Sequence, residues 1–124
     1  MANEIFGWVS ILLAIAMGLW MGIKFQDEEW LGGYGAMRRR MVRLAHIALV
    51  ALGMINIEFG RSVGELTLSP RLLRCASFAF IVAGVSMPAC CLLIFKNVRR
   101  FELFALPVGS LAIALLLTIG GLLR

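Results

Sequence analysis

One histidine is the residue of this chain best suited to do chemistry. His46 is the only histidine, and it lies shortly after the start of an apolar run that begins at Met41. Ionisable side chains are rare inside such runs and are therefore candidates for function. At a helical spacing of three and four residues, it shares one helix face with two arginines and a glycine, which are Arg39, Arg43 and Gly53.

That face has the composition of a haem b site. An imidazole can ligate the iron, the glycine would leave room for the flat macrocycle, and the arginines could pair with its propionates. The second axial ligand would be the histidine of another copy or one of three deep methionines: Met17, Met54 and Met87. The alternative interpretation is a structural histidine that hydrogen-bonds a backbone carbonyl or lies near the lipid headgroups.

Other chemistry has little to work with in this sequence. It contains no HExxH, GxSxG or phosphate-loop motif, and none of its seven acidic residues forms a carboxylate pair inside an apolar run. The three cysteines, Cys75, Cys90 and Cys91, lack CxxC or Cys/His spacing and are expected to be apolar packing residues. We therefore expect neither a catalytic residue nor a metal site, and no enzyme activity.

The composition is that of a protein surrounded by lipid. Hydrophobic residues make up 61% of the 124 residues and charged residues only 15%, with a mean hydropathy of +0.94. A soluble domain carries roughly a quarter charged residues, which it needs to cover a large relative surface. The net charge of +5 would suggest nucleic acid in a soluble protein. Here the cations flank apolar runs, so we expect contact with membrane surfaces and no nucleic-acid partner.

Four apolar runs are each long enough to cross a bilayer: about 5–25, 41–59, 75–95 and 104–123. Glu4 and the lack of Lys or Arg before the first run argue against a cleaved signal peptide, so this run is expected to be a span. Pro70 is expected to open the third helix. The sequence predicts one all-α domain over residues 1–124, a bundle of four transmembrane helices with antiparallel, up-down topology because the connections are short.

The distribution of cations predicts an orientation. Eight of the 12 Lys and Arg residues fall in the first and third connections: Lys24, Arg38, Arg39, Arg40, Arg43, Lys96, Arg99 and Arg100. The other four fall on the opposite side: Arg61, Arg71, Arg74 and Arg124. By the positive-inside rule the two basic connections are cytoplasmic and both termini lie outside the inner membrane, although this bias leaves dual topology open. The arginines at 38, 39, 40 and 43 are expected to bind anionic lipid headgroups.

A stripe of small residues on the first helix indicates where helices approach closely. Ala14, Gly18 and Gly22 recur every four residues, a spacing typical of helix-packing interfaces in membranes. The interface is expected within the bundle, with other membrane subunits, or with a second copy. We predict a small, non-catalytic accessory subunit of a larger membrane complex, with no cofactor. The alternatives are a haem b-binding electron-transfer subunit that uses His46, and a small dimeric channel or transporter.

Overall fold

The computed structural model describes residues 2–96 and 101–123, and this part of the chain contains helices and no strand. The four α-helices are α1 (Ala2–Lys24), α2 (Met37–Ser62), α3 (Pro70–Lys96) and α4 (Ala105–Leu122). All four coincide with helical segments that are long and apolar enough to cross a membrane, which confirms the predicted all-helical class with four candidate spans. Three of the counted cations, Arg99, Arg100 and Arg124, lie outside the described residues.

The helices extend beyond some of the apolar runs that predict them. α2 begins at Met37 and ends at Ser62, so it includes arginines on both sides of the apolar run. Arginine is a good helix former, and its charge limits burial in lipid but not helix formation. α3 begins at Pro70, as predicted, where a proline loses no helical hydrogen bond. Ser69 precedes it and accepts a hydrogen bond from the Leu72 N–H at 3.4 Å.

The two middle helices form the centre of the molecule. α1 packs chiefly on α2, α4 packs on α3, and α2 packs on α3. A core cluster joins α2, α3 and α4 through Phe59 and Phe80, whose ring centroids are 4.7 Å apart, together with Leu66, Ala76 and Ala114. The most apolar stretches of α2 and α3 are 44% and 39% buried, whereas those of α1 and α4 are only 22% and 11% buried. The outer two helices therefore carry broad apolar faces that the described chain leaves uncovered.

Glycines set the close approach of α1 to α2. A Cβ atom at Gly53 would lie 3.0 Å from the Gly7 carbonyl oxygen, so the two backbones almost touch there. A Cβ atom at Gly60 would lie 2.6 Å from Cγ of Glu4. Atoms of α1 thus fill the space beside both glycines of α2, and any larger residue at either position would push the helices apart.

Candidate functional site

His46 lies in the interface between α1 and α2. A Cβ atom at Gly18 would be 3.0 Å from Cε1 of His46, so the imidazole packs directly on α1. Its Nδ1 atom is buried and has no hydrogen-bond partner in the described part of the chain. The structure therefore brings together the histidine and one glycine of the small-residue stripe, which no sequence spacing links.

The rest of the predicted haem face is occupied by protein atoms. A Cβ atom at Gly53 would meet the Gly7 carbonyl oxygen at 3.0 Å and Cβ of Ser10 at 3.2 Å. A macrocycle could lie over this glycine only if α1 moved away from α2. Met54, one of the three proposed second ligands, is 60% exposed. These residues leave no slot for haem between α1 and α2, so they do not fit the cofactor in this arrangement.

The three small residues of the stripe on α1 have different surroundings in the structure. Ala14 is 1% exposed and belongs to the buried core. Gly18 packs on the histidine, whereas the Cβ position of Gly22 has no atom from outside its own helix segment within 4 Å. The first two positions serve packing inside the chain, and the predicted docking of a partner at Gly22 stays a prediction.

Arg39 is enclosed by aromatic rings at the connection between α1 and α2. Its side chain is only 3% exposed. The guanidinium carbon lies 4.5 Å from the ring centroid of Phe25 and 5.6 Å from those of Trp30 and Tyr34. Its Nη1 donates a hydrogen bond to the backbone carbonyl of Glu28 at 3.1 Å. A guanidinium over aromatic faces is stabilised by about 0.5–2 kcal/mol per contact, depending on desolvation.

The local chain geometry assembles this cage. Gly32 and Gly33 both have φ of 89°, a conformation that glycine adopts without steric cost. Leu31 has φ of 60°, which is unusual for a residue with a side chain. The turn places Trp30 against Trp20 of α1, with ring centroids 5.3 Å apart at 79°. The run of glycines predicts a tight turn with positive φ, and this turn folds the aromatic residues back onto Arg39.

The four arginines that were predicted to bind headgroups as a group have different environments. Arg43 lies over Tyr34 at 4.4 Å from the ring centroid, and its Nη2 donates to the Tyr34 carbonyl oxygen at 3.3 Å. Arg38 and Arg40 are exposed on the first turn of α2. Arg39 and Arg43 therefore contact residues of the α1–α2 connection, whereas Arg38 and Arg40 are exposed and can contact a membrane surface.

A buried cluster of polar side chains joins three helices at the opposite end of α1. Asn3 Nδ2 donates to Asn56 Oδ1 at 2.8 Å and to the Ser77 carbonyl oxygen at 3.1 Å, while Ser77 Oγ donates to Asn3 Oδ1. Asn56 Nδ2 donates to the carbonyl oxygens of Leu52 at 2.9 Å and Phe80 at 3.3 Å. Asn3 and Asn56 are 4% and 0% exposed. Their amide groups are satisfied by these bonds, so the cluster fastens helices.

No local sequence pattern indicates this cluster, because its members are far apart along the chain. Asn3 lies 53 residues from one partner and 74 from the other, so no local spacing links them. The available signal was an asparagine inside an apolar run, since a buried amide in a membrane helix usually bonds to a neighbouring helix. Asn56 carries that signal.

Neither metal-ligating side chains in the described residues nor a match to a known protein indicates what the chain does. The described residues contain no group of three or more His, Cys, Asp or Glu side chains able to hold a metal ion. Comparison of the chain with known proteins finds no matching family model, no matching curated protein and no matching solved structure.

Proposed function

We propose that the chain is an integral membrane protein whose four helices cross the bilayer in alternating directions. Contacts at both ends of neighbouring helices support this. Gly7 meets Gly53 while Gly18 meets His46, so contacts between α1 and α2 run in opposite chain directions. The same holds for α3 and α4. Thr67 Oγ1, before α3, bonds the Gly121 carbonyl oxygen at the end of α4 at 2.6 Å, whereas Cys90 bonds Leu103 before α4 begins.

The proposed location is the inner membrane, with both termini outside and the α1–α2 and α3–α4 connections in the cytoplasm. The exposed Arg38 and Arg40, which fit a surface of anionic lipid headgroups, support this orientation of the first connection. Trp20 and Trp30 pack together at the same connection, as is typical of residues at the membrane–water boundary.

Two open glycines provide matched reporters of this topology. The Cβ positions of Gly35 and Gly64 have no atom from outside their own segment within 4 Å, so a cysteine fits at either. In a chain whose three native cysteines are replaced, a membrane-impermeant maleimide should label Gly64→Cys in intact cells. It should label Gly35→Cys only after permeabilisation. The reverse pattern would invert the orientation, and labelling of both in intact cells would contradict a single topology.

The function we propose is that of a non-catalytic accessory subunit of a larger membrane complex. The proposal is supported by the contrast between the inner and outer surfaces of the bundle. The buried amides fasten the chain's own helices, while the most apolar stretch of α4 is only 11% buried. Recognition by such a chain must use helix faces, since its connections are short and no other large surface exists in the described part.

The packing of the interior weighs against the channel or transporter alternative. Small residues close the space between helices, and Ala45, Ala76 and Ala83 are all 0% exposed. A transport path needs polar groups that line a continuous route through the membrane. Among the residues described, four polar or charged side chains are buried: Asn3, Ser10, Arg39 and Asn56. Asn3 and Asn56 bond to each other, but the hydrogen bonds of this pair do not extend to Ser10 or to Arg39.

Native electrophoresis in a mild detergent tests the accessory role. A tagged chain expressed at its natural level should migrate in an assembly much larger than its own 13.6 kDa plus detergent. Other subunits should be present at fixed stoichiometry, and deletion of the chain should lower their stability. A chain that migrates alone at every detergent concentration, with no effect of its deletion on other membrane proteins, would contradict the proposal.

The haem b alternative is tested by a spectrum and not by packing alone. The unpartnered Nδ1 of His46 favours a ligand role, but α1 fills the space that the macrocycle needs. A Soret band that shifts on reduction and disappears in His46→Ala would establish haem. A protein without visible absorbance, purified from its own membrane, would leave His46 as a packing residue against Gly18.

A further inference from the structure

A cavity of about 410 Å³ lies at the connection between α1 and α2, beside the enclosed arginine. Four residues line it: Phe25, Glu28, Tyr34 and Arg39. Ligand pockets in proteins commonly occupy roughly 300–1,000 Å³, so a compact polar group fits. Its wall combines a guanidinium, an acidic residue and two aromatic rings, which is a lining for a ligand that carries both charges.

The arginine retains donors that the chain does not use. Its Nη1 donates to the Glu28 carbonyl oxygen, and this is the one hydrogen bond that its side chain makes within the described chain, where the buried Nε is also without a partner. A guanidinium carries five N–H donors in a planar fork, and a charged donor buried without an acceptor is unfavourable. Two oxygens of a phosphate match that fork in spacing and charge. Arg39 is thus prepared for an oxyanion that the chain itself does not supply.

The acidic residues near Arg39 favour one kind of oxyanion over others. Asp27, Glu28 and Glu29 are exposed, and the described chain forms no ion pair between any of them and Arg39. A wholly anionic headgroup in the cavity would be repelled by the Glu28 carboxylate. A headgroup with an ammonium group would instead be attracted by this carboxylate and by the face of Tyr34.

We propose that this cavity binds the headgroup of an ethanolamine phospholipid, with its phosphate on Arg39 and its ammonium group near Glu28. The acyl chains would then lie along the apolar face of α1, and the rings of Trp20 and Trp30 mark the matching depth in the bilayer. The inference rests on the proposed membrane location, and it distinguishes this buried arginine from the exposed Arg38 and Arg40, which fit any anionic surface.

Lipid retention from nanodiscs of defined composition tests the proposal. Wild-type protein is reconstituted with equal amounts of ethanolamine, glycerol and choline phospholipids, released, and examined by native mass spectrometry. One ethanolamine lipid should be retained in preference to the others, and Arg39→Gln should abolish this preference. Arg38→Gln is the matched control from the same helical turn, and it should retain the lipid as the wild type does.

Glu28→Gln keeps the proposal falsifiable if loss of Arg39 disturbs the connection. The acceptor for Arg39 is the backbone carbonyl of residue 28, so this substitution leaves that hydrogen bond in place. It should shift the ratio of retained lipids from ethanolamine towards glycerol by about threefold, the size expected for one exposed charge contact. An unchanged ratio, or a wild type that prefers the glycerol lipid, would overturn the proposal.

Two further measurements separate the possible failures. Soluble glycerophosphoethanolamine, which lacks acyl chains, should not displace the retained lipid at equal concentration. Displacement would identify a soluble phosphoester as the ligand and overturn the assignment to lipid. Protein that alkaline carbonate extracts from membranes would contradict the membrane location itself, whereas integral protein without headgroup preference would overturn only this site.

Discussion

Asn56 is a fully buried residue whose side chain makes three hydrogen bonds. It is 0% exposed, donates to two backbone carbonyls and accepts from Asn3. We expect Asn56→Ala to lower the free energy of unfolding by about 1–2 kcal/mol, because a buried acceptor and donor lose partners and membrane hydrogen bonds are worth about 0.6–1.7 kcal/mol each. Unfolding in mixed micelles with increasing dodecyl sulfate measures the change.

A double-mutant cycle identifies the partner. Asn3→Ala should cost less in the Asn56→Ala background than in the wild type, because the bond between the two amides is then already lost. Ser110→Ala is a suitable control, since its hydroxyl bonds only within α4, to Leu106 and Pro107. Equal costs for Asn3→Ala in both backgrounds would show that the two side chains do not stabilise each other.

At the scale of single residues, the sequence identified candidates but not their environments. His46 and Arg39 stand out because charge and imidazole are rare near apolar runs, and this depends on residue type alone. That α1 fills the space beside His46, and that Phe25 and Tyr34 enclose Arg39, depends on packing between segments distant in sequence. Helical periodicity assigned both residues to one face but could not show what covers it.

At the scale of elements, apolar length was sufficient to predict the helices. Each predicted run lies within or largely within a helix, since about 20 apolar residues must satisfy their backbone groups internally in lipid. Helix ends were less predictable, as α2 shows by continuing to Ser62 beyond residue 59. Hydropathy detects the depth of the bilayer, whereas a helix ends where its backbone geometry and capping change.

The interface between α1 and α2 gives a prediction at the same scale. A Cβ atom at Gly7 would overlap the Gly53 carbonyl oxygen and lie 2.5 Å from Cγ1 of Ile57, so Gly7→Ala must separate the two helices. We expect a loss of about 1–3 kcal/mol in the free energy of unfolding, the usual cost of overpacking. A Cβ atom at Gly22 would have no contact within 4 Å outside its own helix segment. Gly22→Ala should therefore leave the free energy of unfolding unchanged or raise it by up to about 1 kcal/mol, since alanine is the better helix former.

The same pair of variants examines the predicted docking stripe. Thermal denaturation in detergent reports the stability of the chain, and native electrophoresis reports its assembly. If Gly22 contacts another subunit, Gly22→Ala should weaken the assembly while the isolated chain keeps its stability. If Gly7→Ala unfolds no more easily than the wild type, the close approach of α1 to α2 does not contribute to stability.

At the scale of the whole molecule, the uncovered faces of α1 and α4 can be covered either by lipid or by a partner helix. Leu12 and Ile15 on α1 and Leu116 on α4 are 65%, 64% and 71% exposed. Lipid tails cover such side chains as well as a partner helix does, because both are apolar. What distinguishes them is adaptability: fluid lipid rearranges around a larger side chain, whereas a packed helix interface does not.

Substitutions at two alanines therefore distinguish a covering of lipid from a partner helix. Ala16 lies on the exposed face of α1 and Ala112 on that of α4. The accessory role, with docking through α1, predicts that Ala16→Trp removes the chain from its assembly while circular dichroism shows unchanged helix content. Ala112→Trp should leave the assembly intact, because lipid accommodates the indole. Loss of assembly only with Ala112→Trp would assign docking to α4. Intact assembly with both variants would mean that lipid covers these positions of α1 and α4, and it would contradict docking through either outer helix.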